Sequence, residues 1–141
     1  KKGLEKISGE GLVAVHDGVR PLVEADTIRK SFALASIHGS AIAAVPLKES
    51  LRILRDGDGE GETLAVDRSQ YRLIQTPQTF KLDVIRKAYS IMEEETLTDD
   101  ASVVEKAGFP VILFEGSYSN IKITTPEDLI VAEALMSTRR A

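Results

Sequence analysis

Three kinds of charged or hydroxylic side chain recur where apolar runs of this chain end. The run Leu12-Val13-Ala14-Val15 breaks into His16-Asp17-Gly18-Val19-Arg20-Pro21. In an open α/β sheet, ligands bind beyond the carboxyl ends of strands, and Asp17 stands at such an end. A carboxylate there can hold a divalent ion against phosphates, Gly18 lets the backbone come close, and Arg20 offers a fork of donors for a phosphate or carboxylate. The structural alternative weighs equally at this point: Asp17 and Arg20 pair with each other or with backbone in a turn that Pro21 stiffens. His16 reads as a structural residue. A second polar end follows Tyr71 to Gln75, at Thr76-Pro77-Gln78-Thr79, and a third is Asn120-Ile121-Lys122-Ile123-Thr124-Thr125. An isolated lysine in an apolar strand ordinarily faces solvent on an edge. Together with the acid, arginine and threonines at the other loop ends, Lys122 would complete a phosphate-handling pocket if the strands are neighbours. No Ser-His-Asp arrangement is evident.

Asp56-Gly57-Asp58-Gly59-Glu60-Gly61, with Asp67 at the twelfth position, superficially matches a calcium loop. Such a loop needs amphipathic helices on both sides, and the flanks here are short and strand-like, so the stretch reads as a hairpin tip. Nor is it a dinucleotide fingerprint, because the strand-loop-helix order is missing.

The elements that must position these residues follow from periodicity. Short apolar runs alternate with stretches of helical period, the mark of an α/β layer fold with a largely parallel sheet. Strands are predicted at Leu12 to Val15, Ala41 to Val45, Leu64 to Val66, Tyr71 to Gln75, Val111 to Phe114 and Ile121 to Thr124. Helices are predicted over Ala25 to Ile37, stopping at Gly39; around the stripe Leu82, Ile85, Tyr89 and Met92; from Thr98-Asp99-Asp100 to Gly108, with Pro110 beyond; and from Thr125-Pro126-Glu127-Asp128 through Leu129, Ile130, Ala132 and Leu135. Lys1 to Ile7 has the spacing of the tail of a helix whose front is missing.

The composition excludes several classes of function. The 141 residues, 43% hydrophobic, suit one domain or part of one. A net charge of −4 without a block of like charges advertises no nucleic-acid surface. The absence of cysteine removes disulfides and thiolate chemistry and suits a reducing cytoplasm. No run approaches the ~18 apolar residues of a membrane span, and no secretory pattern precedes the first strand.

The segments VHDGVRP, PLKES, AVDRSQYRLIQTPQTF, LTDDASVVEKAG and EGSYSNIKITTPEDLIVAEALM, in this order and spacing, resemble the 2-C-methyl-D-erythritol 4-phosphate cytidylyltransferases of the non-mevalonate isoprenoid pathway. The resemblance runs from about Gly3 to Met136. It implies a Rossmann-like nucleotidyltransferase domain with a protruding β-hairpin arm over residues 47–70, and a homodimer formed through that arm. It also implies transfer of a cytidylyl group from CTP to methylerythritol phosphate with Mg²⁺, giving the CDP-alcohol and pyrophosphate. By motif position, Asp17 would orient metal and substrate, Arg20 would contact substrate, and Lys122 would reach substrate and α-phosphate. Arg68, Thr76 and Thr98 would hold the methylerythritol phosphate, and Ser50 keeps the hydroxyl of a position that is often threonine in the family. Arg68, on the returning strand of the arm, is expected to serve the partner subunit's site. The family's glycine-rich cytidine-triphosphate loop lies upstream of Lys1, so residues 1–141 resemble the carboxyl-terminal part of the enzyme, and such a part is expected to turn over no CTP by itself. Two alternatives stand beside this reading: a ribitol 5-phosphate cytidylyltransferase, or a non-catalytic fragment that dimerises and binds sugar phosphate.

Overall fold

The computed structural model describes residues 2–55, 61–91 and 99–140. The predicted hairpin tip at 56–60, Met92 and Thr98 lie outside them. Strand β1, Leu12–Val15, has the predicted bounds. Helix α1, Ala25–His38, ends at Gly39, whose φ of 90° is the left-handed conformation that glycine adopts without a steric penalty, and its N–H donates to the Ala35 carbonyl at 2.9 Å. Strand β2, Ser40–Pro46, is buried from Ser40 to Val45, as a strand covered on both faces must be. Its alternation divides the core. Ala41 and Ala43 face Ala35 and Phe114, while Ile42 joins Phe80, Leu82, Ile85 and Val104.

Past β2 the chain builds a small antiparallel pair, β3 (Arg52–Leu54) and β4 (Thr63–Ala65), in register Ile53 to Leu64. This is the predicted arm, its second strand displaced one residue from the expected Leu64 to Val66. The chain then returns as β5, Arg72–Lys81. Helices α2 (Leu82–Ile91) and α3 (Asp100–Lys106), strand β6 (Leu113–Glu115) and helix α4 (Pro126–Arg140) complete the described elements. Near the beginning, the expected helix tail is a single 3₁₀ turn, Leu4–Lys6.

The sheet order is β1-β5-β2-β6. The fold is α/β as expected, but the expectation of a largely parallel sheet is corrected. Only the β2 and β6 ladder is parallel among the described residues; β5 runs antiparallel to both β1 and β2. The cause is the arm. Pro46 at the end of β2 pairs with Arg72 at the start of β5, so the chain re-enters the sheet at the end where it left. A strand that returns at that end runs antiparallel, whereas a crossover such as α1 sets β1 and β2 pointing the same way.

β5 is also twice as long as the run Tyr71 to Gln75 predicts. Between the pairs Ile42 to Gln78 and Ala44 to Ile74, β2 advances two residues and β5 four. This bulge accommodates Pro77, which has no N–H to give a ladder, and the Thr76–Pro77 peptide is cis. Gln75 to Phe80 are nonetheless buried.

The predicted strand Ile121 to Thr124 is absent. That segment is extended loop, tied by Ile123 N–H to the Val19 carbonyl at 2.9 Å. Its last amides are taken by the cap of α4 instead: Asp128 Oδ2 accepts from Thr124 N and Thr125 N at 2.9 and 2.8 Å. On α4, Ala132 is buried and Leu135 half-buried, while Leu129 and Ile130 face outward.

Candidate functional site

The break after β1 folds into a turn, with Arg20 N–H donating to the Asp17 carbonyl at 3.0 Å. That turn brings the Arg20 guanidinium back onto Asp17, Nε to Oδ2 at 3.1 Å. From the far end of the chain, Lys122 Nζ meets the same oxygen at 3.4 Å. Burial raises the cost of the Asp17 charge, but the hydrogen bonds and positive charges of Arg20 and Lys122 outweigh it and hold the carboxyl below its ordinary value. Asp17 is therefore an anion between two cations. Arg20 is largely enclosed, with 11% of its side chain exposed, while Lys122 keeps 49%. The arginine is structurally committed, its Nη1 also donating to the Asn120 carbonyl at 2.8 Å; the lysine is the cation open to solvent. Asp17 and Arg20 thus pair, as the structural alternative has it, and the pair lines a larger charged cleft. Gly18 has a negative φ and a Cβ there would meet nothing within 4 Å, so this chain's own atoms do not require glycine at that position.

Behind the turn, Thr76 fixes the backbone. Its Oγ1 accepts Asp17 N–H at 3.0 Å and lies 2.8 Å from His16 Nδ1. The Arg20 carbonyl can only accept, so His16 Nε2, 3.1 Å away, donates to it, and in the tautomer this requires Nδ1 accepts the Thr76 hydroxyl proton. His16 bridges the Thr76 hydroxyl and the Arg20 carbonyl. The Thr76 hydroxyl's proton is engaged here.

The loop that carries Lys122 is held by amides that sequence reasoning missed. Gln75 lies across residues 116–120, Nε2 donating to the Ser117 carbonyl at 2.8 Å and Oε1 accepting Ser117 N–H at 3.3 Å. Gly116 makes this contact possible, because a Cβ there would come within 2.4 Å of Gln75 Oε1 and 3.3 Å of Ala44 N. Asn120, 1% exposed, donates from Nδ2 to the Thr76 carbonyl at 2.7 Å. Its Oδ1 is buried without a hydrogen-bond partner. An unmet buried acceptor costs about 1–3 kcal/mol. The available signal was weak: glutamines and an asparagine beside the polar loop ends already singled out.

On the opposite wall, Asp99 caps α3, Oδ1 accepting Ser102 N–H at 2.9 Å, and its Oδ2 accepts from Gln78 Nε2 at 2.9 Å. Gln78 Oε1 in turn accepts Ala101 N–H at 2.9 Å. Tyr89 donates to Asp100 Oδ1 at 2.6 Å; burial and that carboxylate push the phenol pKa well above its ordinary value. Asp17, Arg20, Thr76, Gln78, Asp99 and Lys122 line an open cleft of about 290 Å³. No cluster of three or more metal-ligating side chains occurs among the described residues. A Mg²⁺ ion, however, commonly takes only one or two carboxylates and completes its shell with phosphate oxygens and water. Asp17 suits that role, because its Oδ1 makes no hydrogen bond among the described residues, whereas both oxygens of Asp99 are engaged.

The structure thus brings together Asp17, Arg20, Thr76 and Lys122 from positions far apart in the chain. Ser50 is exposed in the loop before β3 and does not line this cleft, and Thr98 lies outside the described residues. Arg68 is elsewhere too. It sits not on the returning strand but on a 3₁₀ turn, Arg68–Gln70, because Asp67 caps that turn by accepting Ser69 N–H at 3.0 Å. Its guanidinium is exposed and donates to the Lys48 carbonyl at the base of the arm.

Comparison with known proteins gives a consistent result. A family model described as IspD, 2-C-methyl-D-erythritol 4-phosphate cytidylyltransferase, matches residues 1–138. A curated protein of that name from Bacteroides thetaiotaomicron is 46% identical over 136 residues, covering 96% of this chain and 60% of its own length. Its Porphyromonas gingivalis counterpart is 48% identical over 139 residues, covering 98% and 61%. Among solved structures, the cytidylyltransferase of the same name from Thermus thermophilus superposes with a TM-score of 0.81 at 37% identity, covering 94% of this chain and 64% of that one. The 4-diphosphocytidyl-2C-methyl-D-erythritol synthase from Anaerococcus prevotii gives 0.82 at 32% identity, covering 96% and 64%. The chain spans about 60% of the length of the curated relatives it matches.

Proposed function

Since the chain belongs to the 2-C-methyl-D-erythritol 4-phosphate cytidylyltransferase family, we propose that its cleft serves cytidylyl transfer from CTP to methylerythritol phosphate. The observation that carries this reading is Asp17 held between Arg20 and Lys122 at the end of β1, in a cleft open to solvent. In phosphoryl-type transfer the protein positions the reactants and neutralises charge. The phosphate oxygen of the polyol phosphate attacks the α-phosphorus of CTP in line, the new P–O bond forming as the bond to pyrophosphate breaks. Lys122, with half its side chain exposed, donates to the phosphoryl oxygens as charge grows on them. Arg20 and Asp17 fix the lysine's orientation, and Arg20 keeps unused N–H donors for substrate. Asp17 Oδ1 is the oxygen that would hold Mg²⁺; the ion supplies neutralisation of triphosphate charge when bound. No enzyme nucleophile takes part.

The arm supports a homodimer. Ile53, Leu54 and Leu64 on it, with Leu73 and Ile74 at its base, are exposed apolar residues, and a two-stranded hairpin alone is marginal in water. Seated on a partner subunit, the arm would carry Arg68 to that subunit's substrate phosphate, and Ser50 and Thr98 complete the polyol-phosphate contacts of this reading. A cytoplasmic location fits a cysteine-free sequence. Among the described residues no helix is long and apolar enough to cross a membrane.

The test is pyrophosphate release from CTP with methylerythritol phosphate or ribitol 5-phosphate, run on the 141-residue chain and on a protein of its relatives' length that contains it. Turnover by the longer protein with methylerythritol phosphate and not ribitol phosphate is expected. Preference for ribitol phosphate, or no turnover with either, refutes the assignment.

A further inference from the structure

The cleft's exposed cation depends on a residue that never reaches the cleft surface. Asn120 is two residues before Lys122 and connects three segments. Its side-chain Nδ2 grips the Thr76 carbonyl in the bulge of β5, and its own carbonyl receives Arg20 Nη1 at 2.8 Å. Its N–H closes on the Ser117 carbonyl at 3.0 Å. Beyond it, the next main-chain tie of this loop is Ile123 N–H to the Val19 carbonyl. Lys122 thus hangs between two anchors, and both run to the turn and strand that hold Asp17. Asn120 is almost fully enclosed and its Oδ1 stays unpartnered. A side chain chosen for stability alone would not leave a buried acceptor unmet. Only its donor end is used, and that end fixes where the loop sits against β5.

We infer that Asn120 is a positioning residue: it sets the loop so that Lys122 Nζ stays against Asp17 and points into the cleft. The inference deepens the cytidylyltransfer reading and rests on it only for its kinetic consequence; the placement of Lys122 is testable without substrate. An asparagine is suited to this because its amide reaches the Thr76 carbonyl while its backbone carbonyl accepts from Arg20 at 2.8 Å and from Gln75 Nε2 at 3.5 Å, an arrangement that a longer glutamine at the same enclosed site would disrupt.

The direct test is reductive methylation of Lys122, followed by mass spectrometry, in wild type, Asn120→Ala and Asn120→Asp. The aspartate variant keeps the size and loses the donor. Lys122 is expected to label about two- to fivefold faster in both variants, the protection an exposed ion pair can give, with Lys30 and Lys81 unchanged as controls. Labelling at the wild-type rate overturns the proposal. So does failure of both variants to fold, which would make Asn120 a core residue and nothing more. The kinetic arm is a double-mutant cycle in the protein of its relatives' length. Asn120→Ala is expected to lower kcat roughly tenfold with KM little changed, and to cost less than about twofold when Lys122 is already alanine. Independent, multiplicative losses overturn it. An inactive wild type refutes the cytidylyltransfer reading instead, and leaves the labelling result to decide the role of Asn120.

Discussion

Gly116→Ala puts a single methyl group where the structure has no room for one, and the cost can be worked from its neighbours. The added Cβ would lie 2.4 Å from Gln75 Oε1, 3.3 Å from Ala44 N and 3.4 Å from Ala44 O. Backbone conformation is not the obstacle, because Gly116 has no positive φ. The Gln75 amide must move, and although it is the far end of a flexible side chain, it is buried and bonded twice to Ser117. Losing two hydrogen bonds at about 1 kcal/mol each, with about 1–2 kcal/mol of overpacking against Ala44, gives a loss of roughly 3–4 kcal/mol. For a domain of this size that lowers Tm by roughly 6–16 °C. Urea denaturation followed by circular dichroism reads the loss directly, with the m-value checking that the unfolding transition is unchanged. If Gln75 is the obstacle, Gly116→Ala in a Gln75→Ala background should cost only about 1 kcal/mol. A loss below about 1 kcal/mol in the wild-type background, or an undiminished loss without the glutamine, refutes the reasoning.

In the protein of its relatives' length, Lys122→Ala is expected to depress kcat by roughly 10²-fold or more, as removal of a transition-state charge partner does; a rise in KM alone would make Lys122 a uniform binder. Mixing Arg68→Ala and Lys122→Ala subunits should restore about half the wild-type activity per dimer, because one site then carries both defects and the other neither. No recovery from verified heterodimers would put Arg68 in its own subunit's site. Burial opposes the charge on Asp99, yet hydrogen bonds from Ser102 and Gln78 hold its pKa below the ordinary 3.8. A folded pKa below the unfolded one contributes stability above the unfolded value and loses it as pH falls through the folded value. Asp99→Asn should therefore flatten the decline in urea midpoint below about pH 4, and a decline as steep as wild type would show that other carboxylates cause it.

Local signals in the sequence located most elements. Gly39 stops α1, Asp99 and Gly108 bracket α3, and Thr125-Pro126 with Asp128 starts α4, because caps and left-handed glycines act over a few residues and leave a readable pattern. What was hidden depends on contacts made at a distance. Thr76-Pro77-Gln78-Thr79 reads as a loop by residue type, yet it is buried strand, since the bulge accepts the proline and Asn120, Asp99 and Ser31 satisfy the polar groups. Ile121 to Thr124 reads as strand by alternation, but among the described residues its amides meet only the Val19 carbonyl and the Asp128 cap, not another strand. The direction of β5 follows from how the arm returns, which no residue type encodes. Asp17, Arg20 and Lys122 were legible because charges at loop ends are conspicuous. Asn120 and Gln75 were not, because an amide's role is set by its partner.

The position of the arm has a consequence for how this fold tolerates change in length. The bond from Asp17 N–H to Thr76 spans 59 residues of chain, and the arm lies inside that span. The entropy lost in closing a loop grows only with the logarithm of its length, so ten more residues between β2 and β5 would raise the closure cost by about 0.1 kcal/mol. Insertions and deletions at the arm therefore leave the assembly of the cleft nearly untouched, and the reach of the arm can drift independently of the residues that β5 delivers to Asp17.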